Sequence, residues 1–122
     1  QCNGAAGCAG ASGNILKNNL WYNTPIIVMD AGTGGAINHD YNAFFDSGTP
    51  PSEANWQIGT GDPFVNRPSS DYHLTAATNA GDSTIGAAYN TDPDGNTRGA
   101  DGVWDRGAYE FNPAQNRYCC RN

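Results

Sequence analysis

The sequence predicts an all-β protein organised as a short parallel β-helix, and three observations lead to this prediction. The 122 residues include 16 Gly and 15 Asn, which disfavour long helices and favour short strands joined by tight turns. Two aromatic segments repeat at a spacing of 23 residues. The chain after this repeat is irregular, as the last units of a repeat stack usually are. The length fits one domain, a single solenoid module covering residues 1–122.

The repeat coils are predicted to occupy residues 14–47, after a stretch of small, Gly- and Ala-rich residues at 1–13. Residues 19–24 (Asn-Leu-Trp-Tyr-Asn-Thr) align with residues 42–47 (Asn-Ala-Phe-Phe-Asp-Ser). The run at 25–30 between them is rich in β-formers. Asn residues at equivalent turns can stack into hydrogen-bonded ladders, and a period of this kind is typical of a solenoid. The alternative is a chance similarity between two aromatic hairpin strands.

Residues 48–111 are predicted to form atypical coils and a closing segment, followed by a Cys-bearing tail at 112–122. The run at 55–58 fits either a short strand or one helical turn. Two further runs, 62–66 and 71–74, resemble short strands separated by a loop. The remaining residues are loop-rich, which suits units that must cover the open apolar end of a stack.

Charge and hydropathy exclude two kinds of partner. The net charge is -6, and the six basic residues are scattered without forming a basic stripe, so we expect no nucleic-acid partner. The longest apolar run, at 26–29, has the length of a buried strand and is far too short to cross a bilayer. We therefore expect no membrane span.

The cysteines predict disulfides and an extracellular location. One pair lies near each end of the chain, and neither spacing suits a chelating pair for a metal ion. Disulfides form in oxidising compartments, and the chain begins with Gln, as a processed protein or a fragment would. Whether the bridges lie within one subunit or between subunits stays open. The predicted disulfide residues are Cys2, Cys8, Cys119 and Cys120.

An acidic, Gly-containing loop is a candidate calcium site. Carboxylates at alternate positions followed by Gly can direct oxygen atoms inward, as calcium loops do. A complete EF-hand loop has Glu at its twelfth position, where this chain has Val103. The candidate calcium ligands are Asp92, Asp94, Asp101 and Asp105.

The preferred interpretation of the same loop is structural. The Asp-Gly step favours a turn, and Arg98 is expected to form a buried or half-buried ion pair with a nearby carboxylate. The candidate partners are Asp94, Asp105 and Glu110. This interpretation requires no cofactor.

No catalytic residue is predicted. A polysaccharide lyase needs a basic residue beside acidic groups or calcium, and Lys17 is the one lysine of the chain, expected to face solvent. No carboxylate pair stands out as a glycosidase pair. Four aromatic residues at equivalent repeat positions could stack on sugars or cover a neighbouring loop, and these are Trp21, Tyr22, Phe44 and Phe45.

Six motifs, in this order along residues 14–111, resemble one protein family. They are DYNAFF (40–45), DPFVN (62–66), DYHL (71–74), NAGD (79–82), DPDGNTR (92–98) and DRGAYEF (105–111). The set resembles the C-terminal part of secreted right-handed parallel β-helix proteins of bacteria, the pectate-lyase-like superfamily, and within it the choice-of-anchor Q domain group. The family usually has Ile before the Gly-Ala-Tyr-Glu run, where this chain has Arg106.

The resemblance implies a right-handed β-helix of two to three coils with an irregular C-terminal closing segment, and an extracellular or cell-surface location. It implies no single activity, because some relatives are polysaccharide lyases and many are surface proteins without known chemistry. We therefore predict a non-catalytic structural protein whose subunits associate end to end, in the extreme as a filament. The alternative is a carbohydrate-binding or polysaccharide-lyase-like module, assisted by Ca²⁺.

Overall fold

The computed structural model of the protein describes residues 14–25, 27 and 37–114. The regular elements of this part are seven strands of three or four residues and two short 3-10 helices, in keeping with the predicted all-β class. None of its helices is long and apolar enough to cross a membrane. The four cysteines lie outside the described residues, as does most of the β-rich run at 25–30.

Five strands form two parallel sheets. Strand β1 pairs with β3, and β2, β4 and β5 form a three-stranded sheet in that order. Strands β6 and β7 form an antiparallel pair around the 3-10 helix Arg67–Ser69, and the second 3-10 helix is Ala87–Tyr89. The strands are β1 (Ile15–Lys17), β2 (Leu20–Tyr22), β3 (Asn38–Asp40), β4 (Ala43–Phe45), β5 (Gln57–Gly59), β6 (Phe64–Asn66) and β7 (Asp71–Leu74).

The 23-residue repeat of the sequence is the pairing register of both sheets. Ile15 pairs with Asn38 in one sheet, and Trp21 pairs with Phe44 in the other. The two aligned copies are therefore neighbouring parallel strands, and a pair of aromatic hairpin strands is excluded. The next step is shorter, because Phe44 pairs with Ile58, 14 residues further on. The run at 55–58, for which the sequence allowed either a short strand or one helical turn, thus contributes to strand β5 of the sheet.

The turns repeat with the same spacing. Asn18 and Tyr41, which follow β1 and β3, both have positive φ angles, of 57°. Asn23 and Asp46, which follow β2 and β4, have φ angles of 50° and 45°. Asn and Asp adopt this left-handed conformation more readily than other residues with a side chain. One left-handed residue after each strand turns the chain in the same way in both copies.

An asparagine ladder joins the two copies, as predicted. The Asn42 side chain is buried, and its Oδ1 accepts hydrogen bonds of 2.9 Å from both the backbone N and the Nδ2 of Asn19. Glu53 extends the ladder, because its Oε2 accepts from Asn42 N at 3.0 Å and its Oε1 accepts from Asn42 Nδ2 at 2.6 Å. Glu53 Oε1 also lies 3.1 Å from His39 Nδ1. A carboxylate thus stands where a third Asn would extend the ladder.

The core lies between the sheets and is small. Phe44 is 1% exposed and contacts the buried Ile27, while Leu16 and Trp21 pack against this pair. Side chains alternate between the two faces of a strand. Trp21, Phe44 and Ile58 are register partners, so they form one column of side chains on the same face of the sheet. Trp21 and Phe44 pack in the core, whereas Ile58 at the end of the column is exposed.

The β6–β7 hairpin covers the opposite face of the three-stranded sheet. The Phe64 ring contacts the Tyr22 ring edge-on, with centroids 6.2 Å apart, and the Arg67 guanidinium lies 5.1 Å from the Tyr22 centroid. The Phe45 ring lies over Gly59, where a Cβ atom would be 2.3 Å from the nearest ring carbon. A side chain at position 59 would therefore force the Phe45 ring to move.

The closing segment returns to the first turn of the chain. Gly107 N donates to Asn18 O at 2.7 Å, and Asp82 N donates to Asn18 Oδ1 at 2.7 Å. Gly81 N donates to Trp104 O at 2.7 Å, so the parts of the closing segment around Gly81 and around Trp104 also bind each other. The two contacts of Asn18 join residues that are 64 or more positions apart along the chain.

Candidate functional site

The acidic loop is organised around Asp92, which is buried. Its Oδ1 accepts hydrogen bonds from the backbone N of Asp94 at 3.0 Å and of Asn96 at 2.8 Å. Its Oδ2 accepts from Asn96 Nδ2 at 2.8 Å and from Glu110 N at 3.1 Å. Burial acts to raise the pKa of Asp92, but these hydrogen bonds outweigh it and lower the pKa. The carboxylate serves to fix the turn.

Asp105 has the same function on the closing segment. Its fully buried side chain accepts at Oδ1 from Thr78 N at 2.5 Å and from Thr78 Oγ1 at 2.9 Å. Its Oδ2 accepts from Phe111 N at 2.8 Å. Both oxygens are thus bound by donors of the chain, which satisfies a carboxylate that would otherwise be costly to bury.

The other two predicted calcium ligands have separate partners. Asp94 Oδ2 lies 2.7 Å from His73 Nε2, and Asp101 Oδ1 accepts from Val103 N at 2.9 Å. Among the described residues no group of three or more His, Cys, Asp or Glu side chains could hold a metal ion. The structure therefore does not bring the four aspartates together as one ligand set, because the four carboxylates bind different donors, several of them from other parts of the chain.

The predicted ion pair of Arg98 involves Glu110. The Arg98 Nη1 atom lies 3.7 Å from Glu110 Oε2, and both side chains are almost fully buried. Arg98 also donates to backbone carbonyls, from Nη1 to Asp105 at 3.2 Å and from Nη2 to Gly107 at 3.2 Å and to Ala108. Burial raises the pKa of Glu110, against hydrogen bonds from Gly99 N and Asp105 N. Asp105 thus contributes its carbonyl to Arg98, while its carboxylate binds elsewhere.

Arg106 is a buried residue whose role the sequence did not predict. Its Nη1 donates to Asn42 O at 3.0 Å and its Nη2 to Ala80 O at 2.8 Å, which ties the closing segment to the asparagine ladder. Burial lowers the pKa of Arg106, and the nearby charge of Glu53 opposes this effect. The one signal in the sequence was the departure at this position from the pattern of the family that the chain resembles, where Ile is usual.

Lys17 is half-buried, contrary to the expectation that it faces solvent. Its Nζ lies 2.8 Å from Asp82 Oδ2 and 5.9 Å from the centroid of the Tyr41 ring. The hydrogen bond to Asp82 raises the pKa of Lys17, and the same bond lowers the pKa of Asp82 to about 2. A general base must be neutral to accept a proton, and these surroundings stabilise the protonated amine.

The four repeat aromatics are engaged in packing. Phe44 is buried in the core, which removes it from the residues that could stack on a sugar. Trp21 packs against the same core, Tyr22 contacts the hairpin and Phe45 lies over Gly59. Packing against neighbouring segments was the alternative to sugar stacking in the sequence analysis.

The two ends of the parallel sheets are open in the described part of the chain. We call the outer edges of β1 and β2, together with the exposed Ile15, the head face. We call the outer edge of β5, with Trp56 and Ile58, the tail face. Neither face has a partner strand among the described residues, and Trp56 and Ile58 are 40% and 56% exposed.

Two adjoining pockets lie beside the head face. One has a volume of about 450 Å³ and includes Leu20, Trp21 and Trp104 in its lining. The other, of about 510 Å³, includes Ile15. Both include Lys17, Ile85 and Tyr89 in their linings. The head face therefore combines open strand edges with an apolar surface.

Comparisons of the chain with protein-family models, with curated proteins and with solved structures found no match.

Proposed function

We propose that the protein is an extracellular, non-catalytic structural protein whose subunits associate end to end into a filament. One observation carries the proposal: among the described residues neither the head face nor the tail face has a partner strand, and each has exposed apolar side chains. Parallel sheets are normally covered, and an open strand edge is a template for pairing with another chain. Exposed apolar residues around such an edge favour association.

The proposed architecture is a right-handed parallel β-helix of two to three coils with a closing segment. It is supported by the 23-residue register, by the ladder of Asn19 and Asn42, and by left-handed residues at equivalent turns. Repeat stacks need several units and covered ends to be stable. Association of subunits would supply both.

The proposed extracellular location rests on the four cysteines and on the family resemblance. Bridges within one subunit would clamp its ends, whereas bridges between subunits would cross-link a filament. Adjacent Cys119 and Cys120 are poorly suited to bond with each other, because the ring that would form is strained.

We propose that the protein is not an enzyme because the side chains that could act in catalysis are bound to other groups of the chain. Lys17 is held in its protonated form by Asp82, and the carboxylates of Asp92 and Asp105 accept hydrogen bonds from the chain at both oxygens. None of these groups is available as a base or a nucleophile. No cofactor is proposed.

Carbohydrate binding is a second candidate function, favoured by the pocket of about 450 Å³ beside the head face. Its volume suits a small ligand. Tyr89 exposes most of its ring there, next to Lys17, and aromatic rings with nearby donors are able to hold a sugar. A polysaccharide is the partner that this function implies.

Sedimentation velocity and light scattering over a range of concentrations, with electron microscopy, test the proposal. We expect concentration-dependent oligomers and filaments, and a non-reducing gel shows whether bridges join subunits. A monodisperse monomer of 12.9 kDa at every concentration would refute end-to-end association. A glycan screen with calcium and with chelator tests the second candidate, and binding by a protein that stays monomeric would favour it.

A further inference from the structure

We propose that β5 of one copy pairs in parallel with β2 of the next copy, so that one hydrogen-bonded ladder runs through successive subunits. This inference rests on the proposed end-to-end association and names the two strands that meet. It follows from three features of the described strands: the direction of their outward backbone groups, their register, and the column of side chains formed by Trp21, Phe44 and Ile58.

The backbone groups of β2 that point away from β4 belong to Leu20 and Tyr22. Ala43 N donates to Asn19 O, and Asn23 N donates to Phe45 O. In a parallel pair alternate residues bond the same neighbour, so Asn19, Trp21 and Asn23 face β4. The N–H and C=O groups of Leu20 and Tyr22 therefore lie on the head face.

The same reasoning places Ile58 on the tail face. Gln57 N donates to Asn42 O, and Asp46 N donates to Gly59 O, so Gln57 and Gly59 face β4. The N–H and C=O groups of Ile58 point the other way. One strand edge offers a donor and an acceptor at Ile58, and the other offers an acceptor at Leu20 O and a donor at Tyr22 N. Tyr22 O already accepts a hydrogen bond of 3.4 Å from Thr24 Oγ1.

These groups match when the existing register is continued. Trp21 pairs with Phe44 and Phe44 pairs with Ile58, so the next partner in the ladder is Trp21 of the following copy. In that register Ile58 N donates to Leu20 O of the next copy, and Tyr22 N of the next copy donates to Ile58 O. Leu20 N of the next copy donates to Trp56 O, as Gln57 N donates to Asn42 O between β5 and β4. The bonding pattern is the one that already joins β4 to β5.

The side chains match in the same register. In the column formed by Trp21, Phe44 and Ile58, the central Phe44 is 1% exposed while Ile58 is 56% exposed. Stacking Ile58 on Trp21 of the next copy would give it a neighbour on both sides, as Phe44 has. Trp56, which is 40% exposed and precedes β5, would be covered by the same contact.

The contact is heterologous and therefore does not close on itself. A two-fold contact between two head faces would make the strands antiparallel and would interrupt the column. A translation along the stack keeps strand direction, register and column, and a heterologous contact of this kind produces an open filament.

Two edge-blocking variants test the inference. Ile58→Pro removes the outward N–H of the tail face, and Leu20→Pro removes an outward N–H of the head face. Proline is tolerated on edge strands where the missing N–H faces outward, so neither change removes a hydrogen bond within the sheet. Each variant alone is expected to be monomeric at concentrations where the unaltered chain forms filaments.

The two variants together should form a one-to-one dimer. Leu20→Pro retains an intact tail face and Ile58→Pro retains an intact head face, so one contact can form and no filament can grow. Sedimentation of each variant and of the mixture decides this. A mixture that stays monomeric, or single variants that assemble like the unaltered chain, would overturn the pairing of β5 with β2.

A second pair of variants covers the case in which proline unfolds the monomer. Ile58→Asp and Ile15→Asp place a charge at exposed positions of the tail face and the head face, and both are expected to weaken assembly at least tenfold. Tyr72→Asp is the matched control, because Tyr72 is 45% exposed and lies on β7, which belongs to neither face. Equal weakening by all three variants would overturn the inference. Failure of the unaltered chain to assemble would instead refute the proposed function.

Discussion

His73 joins three segments of the chain at the scale of a single residue. Its Nδ1 lies 2.5 Å from Asp71 Oδ1 on the same strand, and its Nε2 lies 2.7 Å from Asp94 Oδ2 in the acidic loop. Its ring centroid is 4.3 Å from that of Tyr109 in the closing segment. The hydrogen bonds to Asp94 and Asp71 raise the pKa of His73, because both ring nitrogens can donate only in the protonated form.

The free energy of unfolding is expected to fall as the pH rises through the folded-state pKa of His73. A raised pKa contributes stability that is complete below the unfolded value, about 6.5, and is lost above the folded value. A folded-state pKa that is higher by one contributes about 1.4 kcal/mol to the free energy of unfolding. Urea unfolding between pH 6 and pH 9 measures this. In His73→Gln the free energy of unfolding should change less with pH over this range. An unchanged pH dependence in that variant would show that His73 is not the group responsible.

Asp94→Asn is expected to lower stability by about 1 kcal/mol, to the same extent in calcium and in chelator. The structural reason is that the Asp94 carboxylate accepts a hydrogen bond from His73, and charge-assisted bonds of this kind contribute modestly at half-exposed sites. Thermal unfolding of both forms under both conditions measures it. A calcium-dependent rise in melting temperature that the variant abolishes would support a calcium site instead.

At the scale of elements, Arg106 connects the closing segment to the ladder of Asn42. Arg106→Ala is expected to lower the free energy of unfolding by about 2–4 kcal/mol, because the carbonyl groups of Asn42 and Ala80 lose a donor and Glu53 loses a nearby positive charge. Arg106→Lys should recover only part of this loss, since one amine cannot reproduce the planar fork. Urea unfolding tests both variants, and a loss below about 0.5 kcal/mol in Arg106→Ala would show that the connection is unimportant.

The contact between β4 and β5 depends on Gly59. Gly59→Ala is expected to destabilise by about 1–3 kcal/mol, because the added methyl group would displace the Phe45 ring. A double-mutant cycle with Phe45→Ala isolates the clash. The Gly59→Ala change should cost clearly less when Phe45 is already truncated, and equal costs in both backgrounds would place the strain elsewhere.

At the scale of the whole molecule, net charge opposes the proposed association. Each subunit carries a net charge of -6, so subunits repel one another in low salt. Raising the ionic strength from 0.01 M to 0.15 M shortens the screening length from about 30 Å to about 8 Å. Assembly measured by light scattering is therefore expected to strengthen with salt. Weaker assembly in higher salt would indicate a contact dominated by ion pairs and would contradict a contact of strand edges and apolar side chains.

Part of this architecture could be predicted from the sequence, because it is repeated along the chain. The spacing of 23 residues was visible in two aromatic segments and equals the register of the parallel pairs. Asn19 and Asn42 were recognisable as ladder residues, since equivalent positions of neighbouring repeats lie side by side. Local repetition therefore predicted that the segments of β2 and β4 are equivalent, and it favoured the all-β class.

Tertiary structure alone decided the partners of the polar residues. The bond from Arg106 to Asn42 O spans 64 positions, and no local pattern encodes a contact of that separation. Glu53 joined the ladder because β5 follows β4 after 14 residues and not after 23, which places Glu53 beside Asn42. The aspartates of the predicted calcium site were identifiable as a group from their spacing. Their carboxylates were directed apart because buried backbone N–H groups need acceptors, and Asp92 and Asp105 are the acceptors that the fold places beside them.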